Sequence, residues 1–156
     1  VTGGLFTIEF FETGEGRRPV EAWMDADLND LELAALVSGL ELVLSHLGIA
    51  VCGTEWGKQL GDGLFEFRIR HTAAEITRMF GDALPGGTAG KVLLRVFCHA
   101  YGNKVVLLLN GYDKGADPSE KRQRAEMELA RKRLREFKER QARQRKTDRR
   151  NPPRRP

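Results

Sequence analysis

Lys58-Gln59-Leu60-Gly61-Asp62-Gly63-Leu64-Phe65-Glu66-Phe67-Arg68-Ile69-Arg70 reads as a glycine-turned loop running into a half-buried β-strand. Side chains alternate between the two sides of a strand. Phe65, Phe67 and Ile69 therefore share one side, and Glu66, Arg68 and Arg70 share the other. Two arginines on the outer side of such a strand make a seat for phosphate groups. The plainer alternative is a solvated ion-pairing strand in which Glu66 is the partner.

Upstream, Leu5 to Phe11 is aromatic and β-branched and is followed by Gly14 and Gly16, which predicts a first strand. Pro19 suits the first position of a short helix through Trp23 and Met24. Asp27 or Asn29 can cap a longer helix in which Leu33, Leu36, Val37, Leu40, Val43, Leu44 and Leu47 recur at helical spacing, with Gly48 as its stop. Downstream, Ala73 to Gly90 is irregular, with Pro85-Gly86-Gly87 as a loop signal and a helical turn around Ile76, Met79 and Phe80. Val92 to His99 and Lys104 to Asn110 are two further strands joined at Gly102-Asn103. Val105 to Leu109 is apolar on both faces and belongs inside the sheet. Asp117-Pro118-Ser119-Glu120 then opens a helix with Asp117 as cap and a stripe of Met127, Ala130, Leu134 and Phe137. The order is strand, two helices, three strands, helix. It predicts an α+β fold: a small, mainly antiparallel sheet with an N-terminal helical hairpin and a C-terminal helix on one face.

Charge divides the chain. Pro118 to the end carries 16 Lys/Arg against 6 acids, whereas residues 1–117 carry 10 against 16. From about Gln141 the chain offers almost nothing to bury, so 141–156 is expected to be a disordered basic tail following a domain over 1–140. Such a tail either binds RNA or the ribosome in a salt-dependent way or simply keeps the chain soluble. Cys52 and Cys98 are too few for a disulfide framework, and no Cys/His spacing suits zinc. Reduced cysteines, Glu32 and Glu41 interrupting the apolar run from Leu31 to Leu47, and the lack of a signal-peptide pattern point to the cytoplasm, away from a membrane.

Five segments in this order resemble the RelE/ParE toxin superfamily, nearest its HigB-like, phage-derived branch: Pro19–Asp25, Lys58–Arg70, Arg95–Phe97, Gly102–Lys114 and Glu126–Arg133. Together they run from about Leu5 to Glu139. The loop from Ala73 to Gly90 is longer than in the family, and Gly115-Ala116-Asp117 stands where the family commonly carries basic residues. The resemblance implies a RelE-like fold and a toxin of a type II toxin–antitoxin pair. Many members cut mRNA on the ribosome without metal or cofactor, and a helix-turn-helix antitoxin restrains them. Others bind a protein target such as DNA gyrase, and a chain of this kind can also be an inactive, phage-derived nucleic-acid-binding protein.

Metal-free RNA cleavage uses the 2′-hydroxyl against the adjacent phosphate. It needs a proton acceptor, a proton donor for the leaving oxygen, and positive charge around the crowded phosphorus. The guanidinium fork suits the last task, which makes Arg68, Arg70 and Arg95 the candidates. The resemblance places Arg95 where the family often holds a catalytic arginine, and Tyr112 and Lys114 in the loop that bears the remaining groups. His99 shares the strand parity of Arg95 and titrates near neutrality, whereas His71 falls on the Phe65 side and reads as a core-edge histidine. Lys58, Lys104, Arg131 and Arg135 are expected to touch RNA around this site.

Overall fold

The computed structural model describes residues 4–80 and 90–151. The Pro85-Gly86-Gly87 loop signal and the last five residues of the expected tail lie outside the described residues. Five strands form one open sheet: β1 Thr7–Phe10, β2 Gly57–Gly61, β3 Leu64–Ile69, β4 Leu94–Tyr101 and β5 Val105–Asp113, in the order β1-β5-β4-β3-β2. β1 runs parallel to β5, and every other pair is antiparallel. This is an α+β domain with a mostly antiparallel sheet and a C-terminal helix. β2 was not foreseen. The glycine-turned loop is itself a hairpin, because Gly61, Asp62 and Gly63 all adopt positive φ and fold Lys58–Gly61 back onto β3.

Local chemistry sets the helix boundaries. α1, Pro19–Ala26, starts on its proline, and α2, Asp30–Gly39, starts with a full capping box between Asn29 and Glu32. The helix continues through a π-helical stretch, Leu40–Leu44, into α3, Ser45–Leu47. Gly48 ends it at φ +54, where an added Cβ would lie 2.5 Å from the Phe6 ring. Among the described residues, Asp30–Gly53 is the one helical stretch long and apolar enough to cross a membrane, and half of it is buried inside the domain. The helical turn expected near Ile76 is a full helix, α4, Ala73–Phe80.

The C-terminal helix corrects three expectations. α5 spans Glu120–Arg150 and is capped by Ser119, not Asp117, whose carboxylate instead accepts the Ser119 N–H in a turn. It runs ten residues into the segment expected to be disordered, because Glu, Gln, Arg, Lys and Ala are strong helix formers even where nothing is buried. It also lies on the opposite side of the sheet from the other helices. Phe65, Phe67, Ile69, Val96, Val106 and Leu108 pack against α1–α4, while Leu64, Phe97, Leu107 and Leu109 pack against Ala130 and Leu134 of α5. Each large side chain removed from water in this way contributes about 1.5–3 kcal/mol. The charged side of β3 is thus not an outer surface: Glu66 is fully buried.

Candidate functional site

Strand register decides which side chains meet beneath α5. Arg68 of β3 pairs with Arg95 of β4, and Arg95 pairs with Tyr112 of β5, giving one row across the sheet. The next row is Lys58, Glu66, Phe97 and Asn110. Tyr112 and Asn110 reach this side only because β5 carries a bulge. Phe97 pairs with Asn110 but Cys98 pairs with Leu108, so Leu109 has no partner and the alternation shifts by one. Leu109 and Asn110 consequently both face α5, where the Asn110 side-chain amide donates to the Glu126 carbonyl and carboxylate. Gly111 turns to the other side, where a Cβ would lie 2.4 Å from the Trp23 indole.

Glu66 is the hub of the two rows. Its Oε1 accepts a 2.8 Å bond from Arg68 Nε, and Arg95 Nε lies 3.4 Å from the same oxygen. The second contact is within ion-pairing distance but outside hydrogen-bond geometry. Tyr112 stacks on Phe97 with ring centroids 6.2 Å apart, and the Arg122 guanidinium of α5 sits 5.4 Å from the Tyr112 ring centroid. Four buried side-chain polar atoms among the described residues lack a hydrogen-bond partner: Glu66 Oε2, Arg95 Nε, Asn110 Oδ1 and Tyr112 Oη. All four belong to this site. Native interiors pair nearly all such atoms, so orphans gathered in one place mark a site held for something other than stability.

The electrostatics follow from crowding like charges at one end of the sheet. Burial lowers the Arg95 pKa, Glu66 opposes that shift, and Arg68 and Arg70 add to it. Burial raises the Tyr112 pKa, reinforced by Glu66. Lys114, just past β5, is shifted down by burial and then by Arg95, with Arg68 and Arg70 contributing. Lys114 thus combines a lowered pKa with a side chain that reaches solvent.

The structure brings together Arg68, Arg70, Arg95, Tyr112 and Lys114. Arg95 and Tyr112 are nevertheless buried, at 3% and 1% exposure, so in this conformation neither side chain is presented to solvent. Arg68, Arg70 and Lys114 reach solvent. His99 does not join the cluster. It lies two rows away, about 13 Å along the strand, donates a 2.7 Å bond from Nδ1 to the Gly63 carbonyl, and stacks on Tyr101 with Phe137 edge-on. Burial, ahead of the opposing Gly63 bond, lowers its pKa.

Lys104 is also displaced, to the β4–β5 turn at the far end of the sheet, where it takes positive φ. Arg131 is engaged by the β2–β3 hairpin, donating to the Leu60 carbonyl and lying 3.8 Å from Asp62. Arg135 and Lys58 are exposed. His71 bonds Glu55 at 2.6 Å and Glu75 at 3.3 Å, and its ring packs 5.2 Å from Trp56. Burial opposes its charged form, but the two carboxylates outweigh burial and raise its pKa.

Residue reading missed Glu66 as the buried hub, and Asn110, Arg122 and Glu126 entirely. A signal existed: a stripe on α5 and a strand apolar on both faces each require a second covered face.

No protein-family model matches the chain, and no curated protein matches it.

Proposed function

We propose that the chain is a RelE/HigB-like toxin of a type II toxin–antitoxin pair, working in the cytoplasm as a metal-independent endoribonuclease on mRNA at the ribosome. The observation that carries this reading is the cross-strand row Arg68–Arg95–Tyr112 with Arg70 and Lys114 at its rim, four cations around one buried carboxylate. A bound phosphodiester would lie over Arg68 and Arg70, with Arg95 adding charge from below. Lys114, with its depressed pKa, takes the proton from the 2′-hydroxyl. The 2′-oxygen then bonds to phosphorus, the bond from phosphorus to the 5′-oxygen breaks, and the Lys114 ammonium returns a proton to that oxygen. A cyclic phosphate and a free 5′-hydroxyl result. Glu66 holds the arginine forks in place.

Expression with and without the neighbouring reading frame tests the toxin: the expected result is growth arrest that a helix-turn-helix partner relieves. Mapping RNA 5′ ends then tests the nuclease. Lys114→Met and Arg68→Gln should each slow cleavage by about 10²–10³-fold. Arrest with intact messages would sink the nuclease and leave a second reading, a toxin fold that blocks a protein target such as gyrase. The burial of Arg95 and Tyr112 under α5 favours that second reading.

A further inference from the structure

The longest helix has a side that packing does not explain. Met127, Ala130, Leu134 and Phe137 seat the first half of α5 on the sheet, and every residue from Ala142 to Arg150 is exposed. Arg124, Arg131, Arg135, Lys138, Arg145 and Arg149 fall on one side of this helix, within an arc of about 80° at 100° per residue. The stripe begins over the sheet beside the β2–β3 hairpin, where Arg131, Arg135 and Lys138 line a cleft of about 250 Å³ with Leu134 and Asp62. It then continues past the sheet, and from Arg124 to Arg149 it measures about 37 Å at 1.5 Å per residue.

In the free arm, Arg143, Arg145, Lys146, Arg149 and Arg150 face a single acid, Asp148. Arg145 with Arg149 and Lys146 with Arg150 are like-charged pairs one turn apart, each costing the helix about 0.2–0.5 kcal/mol. A helix kept only for solubility needs neither a one-sided arrangement nor repelling neighbours. Residues 1–117 carry an excess of acids, so a polyanion is repelled elsewhere and drawn to this helix. No aromatic residue lies between Lys138 and Arg150 to stack on a base, so single-strand readout has no platform here.

We propose that this stripe, broadened in the arm by Arg143, Lys146 and Arg150, docks along the phosphate backbone of double-helical RNA, with the five arm cations together supplying the largest share of contacts. The choice of RNA over DNA rests on the nuclease reading. The phosphate chemistry does not.

Binding is read directly by fluorescence anisotropy, so the result stands whether or not the chain cleaves. The full chain and the R143Q/R145Q/K146Q/R149Q/R150Q variant are titrated with an RNA duplex over a range of salt. Loss of five phosphate contacts should lower duplex affinity at least about tenfold at low salt and reduce the slope of log K against log salt by about four. The matching variant with lysine at the four arginines should retain most of the affinity, since charge and helix are both kept. Unchanged affinity and slope in the glutamine variant would overturn the proposal, as would loss of binding in the lysine variant. Tighter binding to the same-sequence DNA duplex, to single-stranded RNA or to phosphatidylserine vesicles would overturn it too.

Discussion

The two faces of the sheet are built from the same strands and hold opposite interiors. Toward α1–α4, Phe65, Phe67, Ile69, Leu94, Val96 and Cys98 make a continuous apolar layer. Toward α5, apolar residues surround a polar patch in which Glu66, Arg95, Asn110 and Tyr112 are buried and incompletely bonded. One face is organised for stability, while the other gives up hydrogen bonds to hold charge in a fixed place. The polar groups suited to chemistry therefore gather on the side covered by a single helix.

Substitutions sharpen that contrast. Phe67→Ala on the apolar face should cost about 3–5 kcal/mol in urea unfolding, and a loss below 1 kcal/mol would show that this face is not the main core. Glu66→Ala on the polar face should cost a similar amount, because Arg95 is then buried without its carboxylate. Glu66→Met combined with Arg95→Met should recover most of that loss. If the double variant is no more stable than Glu66→Ala, the ionic pair is contributing stability after all and the contrast between the faces collapses.

His71 gives a smaller effect at the rim of the apolar face. Its pKa is raised in the folded state by Glu55 and Glu75. The stabilisation is therefore complete below the unfolded value near pH 6.5 and disappears as pH rises through the raised folded value. Chemical denaturation from about pH 5 to about pH 9 should show this decline, and His71→Gln should remove it. An identical profile in the variant would place the proton elsewhere. Smallest of all, deleting residues 141–156 should change stability by less than about 0.5 kcal/mol, since Ala142 to Asn151 are exposed. A larger loss would make the arm part of the fold.

Much of the fold was legible in residues that act locally. Pro19, Asn29 with Glu32, and Gly48 each fix a helix end by their own chemistry, and the apolar run of β5 correctly implied a strand with neighbours on both sides. What was not legible depended on which face a distant helix covers. Alternation separated Glu66, Arg68 and Arg70 from the phenylalanines, but whether that side was wet depended on α5, more than fifty residues later. The gathering of Arg68, Arg95, Tyr112 and Lys114 was legible as a set, yet the exclusion of His99 was not. Shared parity says only which side a residue faces, while distance along the strand says what it can reach. Lys104 was misread for the same reason, being near in sequence to β5 but at its opposite end.

The unpaired Leu109 in β5 has a consequence for how this chain tolerates change. A strand alternates with period two, so one extra residue acts as a phase shift for everything after it. Removing that residue would join Leu108 directly to Asn110 in regular alternation, so Asn110 and Tyr112 would still face α5 and Gly111 would still face Trp23. Substitutions at the polar site can alter it by degrees. A single-residue deletion at Leu109 would instead remove one apolar contact beneath α5 and leave the polar site on its face of the sheet.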